Sequence, residues 1–295
     1  MFTLAHLSDL HMASRPAGAQ LLSKRGLGLI NWYRKRQAIH RPEVLEAITR
    51  DLKESRFDHI AVTGDLVNFS LAEEYRRARA WLETIGNAHD VTVVPGNHDA
   101  YVGGVEQCPA EYWGDFMRGD DGVQRFPFLR RRGDVALIAL STGLPTGPFM
   151  ATGRLGARQL AGLAELLEQT NGLCRVVLIH HPPLSPAGRF LRRLVDGAEL
   201  RQVLAAKGAE LLLHGHDHVR SIVWLDGPRG QFPAVGVPSA SALTRHGDED
   251  EAGYNIFLIQ EATASGTSKT WHCEMIARQR KADGTVGETS RQALF

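Results

Sequence analysis

Short apolar runs alternate along most of the chain with stretches in which apolar residues recur every three or four positions. Near-continuous apolar runs are typical of strands buried on both faces, whereas the three-to-four spacing is typical of amphipathic helices. The alternation of the two patterns predicts an α/β fold. The predicted strands of this region are Phe2–Leu7, His59–Thr63, Val91–Val94, Val135–Leu140, Val176–Ile179 and Leu211–Leu213.

Four helices are predicted between these strands, at 42–55, 70–85, 156–169 and 197–207. Pro42 suits a first helical turn, and Ser70 and Glu73 have the spacing of a capping box. After residue 221 the pattern changes to strands with little helix between them, which favours antiparallel pairing. These later strands are predicted at Ile222–Leu225, Ala234–Val237, Ile256–Ile259 and Thr270–Met275.

The remaining polar stretches divide the chain. Residues 277–295 are polar and predict a loose C-terminal tail, so that a single domain is expected over 1–276. The arginines at 130–132 are predicted to be exposed. Residues 12–41 form a long insertion directly after the first strand and its polar end.

The bulk composition narrows the function. The 295 residues are 43% hydrophobic, and 34 basic side chains against 33 acidic ones give a net charge of +1. Such a balance gives no bulk attraction to a nucleic-acid polymer, and none is expected as a partner. Three separated cysteines predict no disulfide framework and favour a reducing compartment. Without a leader pattern or an apolar run of ~18 residues, a cytoplasmic location is expected.

Residues that bind metals follow five of the predicted strands. In an open α/β sheet, residues beyond the carboxyl ends of neighbouring strands meet at one edge. The spacing of one residue within a pair places both side chains on the same face of an extended segment. In order along the chain these residues are Asp9 and His11, then Asp65, then Asn97, His98 and Asp99, then His180 and His181, and finally His216 and His218.

Carboxylate, amide and imidazole donors in one set suit Mn²⁺, Fe or Zn²⁺ rather than Ca²⁺. Seven candidate ligands are too many for one tetrahedral ion, so the set predicts two divalent metal ions. A carboxylate such as Asp65 can bridge them. Two such ions hold a phosphate oxygen and activate a bridging hydroxide that attacks phosphorus.

The series DLH, GDLV, GNHD, HHPP and GHDH resembles the calcineurin-like metallophosphoesterase superfamily. Within it the chain is similar to the bacterial class III cyclic-nucleotide phosphodiesterases, over roughly residues 2–260. The resemblance implies a four-layer α/β/β/α sandwich of two mixed β-sheets flanked by helices. It also implies hydrolysis of a small phosphodiester, with cyclic nucleotides as the usual substrate class.

The resemblance further implies a role for each site residue. His98 would lie beside the leaving group, with Asp99 orienting it. Of the pair His180 and His181, His180 is preferred because it lies nearer the strand end and the family uses the first histidine. One metal would be held by Asp9, His11, Asp65 and His218, and the other by Asp65, Asn97, His180 and His216.

The insertion leaves several hypotheses open. Residues 10–42 contain seven basic residues and no acidic one, with leucines and aromatic residues between them. This composition is compatible with a solvated loop and helix, a lid that attracts phosphate, a lipid-binding surface over residues 21–36, or a homodimer contact. The alternatives for function are a pyrophosphatase or phosphodiesterase acting on a lipid-linked or nucleotide-linked head group, and a non-catalytic metal-binding scaffold.

Overall fold

Two six-stranded mixed β-sheets lie face to face with helices on their outer surfaces, which confirms the predicted fold class. The architecture is that of a computed structural model, which describes residues 1–33, 37–185, 188–245, 247–262 and 269–295. Residues 34–36, which belong to the predicted lipid-binding surface, lie outside the described residues.

The strands follow the predicted apolar runs closely. Two strands were not predicted, one at 128–132 and one at 286–293. In chain order the strands are β1 (Phe2–Leu7), β2 (His59–Val62), β3 (Val91–Val93), β4 (Phe128–Arg132), β5 (Val135–Ala139), β6 (Cys174–Leu178), β7 (Leu211–His214), β8 (Ser221–Gly227), β9 (Gly230–Gly236), β10 (Gly253–Ala262), β11 (Thr270–Arg280) and β12 (Val286–Ala293).

The first sheet has the order β12-β11-β10-β1-β2-β3, and the second has the order β4-β5-β6-β7-β9-β8. β1, β2 and β3 are parallel to one another, and so are β5, β6 and β7. The carboxyl ends of three neighbouring strands therefore meet in each sheet. The later strands pair antiparallel with one another, as the change of pattern after residue 221 predicts, but β9 also pairs in parallel with β7.

Amphipathic helices cover both sheets. In α3 the residues Val44, Ile48 and Leu52 repeat at helical spacing and are at most 1% exposed. Burial of each such side chain contributes about 1.5–3 kcal/mol. No helix in the described ranges combines the length and the apolarity needed to cross a bilayer. The helices are α1 (Lys24–Asn31), α2 (Gln37–Ile39), α3 (Pro42–Glu54), α4 (Ala72–Ile85), α5 (Cys108–Trp113), α6 (Gly156–Gln169) and α7 (Gly197–Lys207), with 3-10 turns at Gly18–Leu22, Gly114–Met117 and Phe190–Arg192.

Residues 277–295 do not form the loose tail that the sequence predicts. Residues 277–280 continue β11, and β12 pairs with β11 antiparallel from Glu274 opposite Ala293 to Arg280 opposite Val286. Leu294 is 5% exposed and belongs to the core between the sheets. The first sheet therefore extends through residue 293.

The start of α4 is fixed by a different residue from the one predicted. Ser70 and Glu73 do not form the capping box. Instead, the buried carboxylate of Glu74 accepts hydrogen bonds from the backbone N–H groups of Phe69, at 2.8 Å, and Leu71, at 3.1 Å. These bonds satisfy donors that lack a partner within the helix.

Candidate metal centre

The loops after five parallel strands bring the seven predicted ligands together between the two sheets. Ligand atoms of Asp9, Asp65 and His180 all lie within 4.8 Å of one another, although each belongs to a different strand end. All seven are at most 5% exposed. The first sheet delivers Asp9, His11, Asp65 and Asn97, and the second delivers His180, His216 and His218.

Five of the seven residues adopt a left-handed backbone conformation that non-glycine residues rarely occupy. Among the described non-glycine residues only Ser70 and Phe149 share a positive φ angle outside the predicted ligands. Backbone strain of this kind costs of order 1–3 kcal/mol per residue and concentrates at functional sites. The five φ angles are 57° at Asp9, 48° at His11, 53° at Asp65, 70° at His216 and 57° at His218.

Two glycines allow the loops to approach one another. Gly64 has a φ of 92°, and a Cβ atom there would lie 2.7 Å from Nδ1 of His180. A Cβ atom on Gly215 would lie 2.5 Å from Oδ2 of Asp9. Any larger residue at either position would therefore push the donors of the two sheets apart.

Backbone carbonyls fix the tautomers of two histidines in the second sheet. His180 Nδ1 donates to the Thr63 carbonyl at 2.6 Å, and His216 Nε2 donates to the Arg192 carbonyl at 2.8 Å. The opposite nitrogens, Nε2 of His180 and Nδ1 of His216, then lie 3.3 Å apart with their lone pairs facing each other. Neutral rings held in this way are the usual form of metal-ligating histidine.

A second cluster lies on the other side of Asp9. His218 Nε2 is 3.2 Å from Oδ1 of Asp9 and 3.0 Å from Nε2 of His11. His218 Nδ1 is 2.9 Å from a carboxylate oxygen of Glu249. Glu249 can therefore hold the Nδ1 proton and leave Nε2 as the ligating atom.

Asn97 provides the clearest sign of a bound cation. Its side-chain oxygen Oδ1 is buried and has no hydrogen-bond partner. An unsatisfied buried carbonyl of this kind costs about 1–3 kcal/mol, and buried polar atoms in native proteins nearly always have a partner. An oxygen-preferring divalent cation would satisfy it. The residues present therefore fit a two-metal site.

The electrostatics of the centre favour positive charge. Burial opposes ionisation of Asp65, but His180 and His98 outweigh it and hold the pKa of that carboxyl well below its usual range. Burial likewise opposes a charge on His180, but the Asp65 carboxylate raises the pKa of His180 to about 9. Asp9 and Glu249 raise the pKa of His218 to about 9 against the same effect of burial. A cation would take the place of these ring protons.

His98 lies at the edge of the centre, but Asp99 does not hold its ring. His98 Nδ1 is 2.7 Å from the Asn68 carbonyl oxygen, and the ring stacks on Tyr101 at 5.1 Å between centroids. The buried Asp99 carboxylate instead accepts four backbone N–H bonds, including that of Asp65 at 2.8 Å. Asp99 therefore fixes the loops that carry Asp65 and Asn97.

Of the two adjacent histidines after β6, the structure places His180 at the centre. His181 Nδ1 is 2.7 Å from the Thr142 hydroxyl, and its Nε2 is 3.1 Å from the Ala151 carbonyl. Both of its nitrogens are thus engaged by the protein. Burial and the neighbouring His180 lower the pKa of His181 to about 3.

The sequence did not identify His40, which belongs to the same centre. Its ring lies 4.5 Å from that of His11 between centroids, and the ligand atoms of His11, His40 and His218 lie within 4.8 Å of one another. His40 Nδ1 is 2.9 Å from the Ser241 hydroxyl. No strand-end pattern precedes His40. Long-range contacts with residues 241–243, among them the bridge to Ala242, bring it here.

A cavity of about 680 Å³ leads to the centre and ends on Asn97 and His98. Its sides are largely apolar, but Lys24 and Arg192 lie among them. Burial lowers the pKa of Lys24 to about 8, although the Asp65 carboxylate partly opposes the shift. The cavity can therefore receive an anionic group next to the predicted metal ligands.

A sequence family, a curated protein and a solved structure resemble this chain. The sequence model of a family described as calcineurin-like phosphoesterase matches residues 2–220. A probable cyclic nucleotide phosphodiesterase of a Synechococcus strain is 25% identical over 262 residues, which are 88% of each chain. A purple acid phosphatase from yellow lupin (Lupinus luteus) seeds has a TM-score of 0.59 at 13% identity. That match covers 98% of this chain but 53% of the phosphatase, so the chain spans about half its length, and the likeness shows the fold alone.

Proposed function

The chain belongs to the calcineurin-like phosphoesterase family, and from that premise we propose that it hydrolyses a small phosphodiester, with a cyclic nucleotide as substrate. The family implies a hydrolase that acts on phosphoesters. The proposal goes beyond this family activity in naming a phosphodiester, and a cyclic nucleotide in particular, as the substrate. The likeness to the Synechococcus protein, which is described as a probable cyclic nucleotide phosphodiesterase, supports them.

Two groups of side chains would hold the metal ions. When bound, two divalent ions stabilise the charge on the phosphoryl oxygens and lower the pKa of a shared water. Mn, Fe or Zn suits the mixed oxygen and imidazole donors. Asp65 would serve both ions. The first would also take Asp9, His11 and His218, and the second would also take Asn97, His180 and His216.

In this proposal His98 moves the proton. Its Nδ1 donates to the Asn68 carbonyl at 2.7 Å, so Nε2 is the nitrogen that can protonate the departing alkoxide. The carbonyl stabilises the ring while it carries both protons. Stacking on Tyr101 fixes the plane of the ring.

The observation that carries the proposal is the buried Oδ1 of Asn97 without a hydrogen-bond partner, at the end of the cavity that also reaches His98. A structural asparagine would be expected to form a hydrogen bond with this oxygen within the protein. An asparagine that binds a cation would instead keep the oxygen available for that ion.

The test is a substrate panel with the metal-loaded protein. We expect turnover of bis-p-nitrophenyl phosphate with Mn²⁺, loss of turnover after chelation, and a higher kcat/KM for 2′,3′- or 3′,5′-cyclic nucleotides than for phosphomonoesters. Asn97→Ala should lose one metal ion and most of the activity. Absence of turnover with Mn, Fe and Zn would instead support the non-catalytic scaffold.

A second candidate rests on the two cations in the cavity. Lys24 and Arg192 line the same cavity as Asn97 and His98, so a substrate with a second phosphate group would meet two cations there. This placement favours a pyrophosphate that links a nucleotide or a lipid to its head group. Faster hydrolysis of a nucleotide-linked pyrophosphate than of any cyclic nucleotide, together with its loss in Lys24→Gln, would replace the first candidate with the second.

A further inference from the structure

Large apolar side chains are exposed around the mouth of the active-site cavity. Leu22 is 92% exposed, Phe149 82% and Phe190 64%, and each comes from a different segment of the chain. Scattered exposed hydrophobic residues are normal, but a contiguous patch marks an interaction surface. We define the apolar rim as Leu22, Leu27, Ile30, Phe149, Met150, Phe190 and Leu191.

Hydrogen bonds join the three segments into one surface. Lys24, on α1, donates to the Thr146 hydroxyl at 2.9 Å and to the Met150 carbonyl at 3.1 Å. The Ala151 N–H donates to the Leu191 carbonyl at 2.8 Å. The rim is therefore continuous from α1 to the turn at 190–192. Leu27, Ile30, Phe149 and Met150 also line the cavity itself.

Positive charge is interleaved with the rim. The segment 10–42, which supplies three of its residues, has seven Lys and Arg residues and no Asp or Glu, and four of the seven, Arg15, Lys24, Arg25 and Arg41, belong to the described residues. The guanidinium of Arg193 lies over the Phe190 ring at 3.9 Å from its centroid. Arg189, the residue before Phe190, pairs with Asp217 at 2.7 Å and lies 3.8 Å from the exposed Asp248, so both carboxylates face a cation. The charge of the rim therefore complements an anionic partner.

This charge decides between the two occupants that an apolar patch suggests. A second copy of the chain related by a two-fold axis would set the same basic segment opposite itself, which is unfavourable. An anionic bilayer offers headgroup phosphates to the cations and an acyl boundary to the leucines and phenylalanines.

We propose that the apolar rim docks on the surface of an anionic lipid bilayer and holds the mouth of the cavity against it. The attachment is peripheral, with Leu22 and Phe190 entering the headgroup region and the neighbouring cations contacting phosphate. This inference does not depend on the proposed reaction, because it concerns the rim and not the metal ligands.

The experiment is co-sedimentation of the full-length protein with vesicles of phosphatidylcholine, with and without phosphatidylglycerol. We expect binding only to the anionic vesicles and weaker binding at high salt. The variant Leu22→Ser/Phe190→Ser should bind the anionic vesicles at least about tenfold more weakly, because each substitution removes apolar area that would be buried in the bilayer. The matched control is Val123→Ser, since Val123 is 47% exposed but lies outside the rim, and it should bind like the wild type.

Turnover and vesicle binding, measured on the same variant, distinguish the bilayer proposal from the proposed reaction. Neither Leu22 nor Phe190 lines the cavity, so turnover of bis-p-nitrophenyl phosphate by the double variant should equal that of the wild type. Equal binding to neutral and anionic vesicles, or full binding by the double variant, would overturn the proposal. So would a concentration-dependent dimer that the double variant dissociates, because the occupant would then be a second copy.

Discussion

The two sheets contribute different chemistry to the same centre. The first sheet supplies the oxygen donors Asp9, Asp65 and Asn97, which bring negative charge and a bridging carboxylate. The second supplies only imidazoles, two of them with a tautomer fixed by a backbone carbonyl. The first sheet therefore supplies the negative charge that attracts cations, and the second supplies nitrogens whose ligating atom is already fixed. Substitutions in the two sheets should weaken metal binding for different reasons.

The largest effect is expected from Asp65→Asn in the first sheet. Asparagine keeps the shape but removes the charge that both ions would share, so metal affinity should fall by more than ~100-fold, beyond what is typical for residues that only support a ligand. Activity should fall with it. Metal content after dialysis measures the loss. Asp217→Asn, on the His216 loop but paired with Arg189, is the control and should retain both ions.

A smaller effect is expected from His98→Ala, because His98 is proposed as a proton donor and not as a metal ligand. Loss of the proton donor should lower kcat about 10²–10⁴-fold while both metal ions remain bound. Metal analysis and steady-state kinetics on the same sample check it. Loss of an ion in this variant would show that His98 belongs with the donors.

His40→Ala tests whether the insertion is a third source of donors beside the two sheets. The imidazole lies with those of His11 and His218, so its loss should weaken metal binding about tenfold, within the range for supporting groups. Calorimetric titration of the metal-free protein with Mn²⁺ measures the change. His89→Ala changes an exposed histidine and should bind like the wild type. Unchanged affinity in His40→Ala would leave the two sheets as the whole centre.

The smallest expected effect is on the pH dependence of stability. It comes from His6, a buried histidine of the first sheet that is not among the predicted metal ligands. Burial, with His214 adding to it, lowers the pKa of His6 to about 3. Between about pH 3 and 6.5 the unfolded chain binds this proton and the folded protein does not, so stability falls as the pH drops through that range. The slope is about 1.4 kcal/mol per pH unit for one such group. His6→Gln should flatten it by that amount in urea unfolding of the metal-free protein, and an unchanged slope would contradict the assignment.

The sequence predicts the strand-end donors because each follows an apolar run that only a buried strand explains. β12 was not predicted because its side chains are mostly exposed and polar, so it lacks the apolar pattern of a strand. Backbone pairing with β11 holds it in the sheet. Arg130 escaped for the opposite reason. It lies in a basic triplet predicted to be exposed, yet it is 3% exposed and donates to four backbone carbonyls. Those carbonyls come from distant segments, and only the fold brings them near.

The 2.6 Å hydrogen bond from His180 to the Thr63 carbonyl has a consequence for how the protein matures. It joins the second sheet to the first at the point where the metal ions would bind. Neither sheet holds a complete set of ligands alone, so an early folding species with one sheet formed would offer each ion only part of its donors. Metal uptake would then follow the docking of the two sheets and stabilise the docked state. An ion supplied before docking would find an incomplete set of ligands.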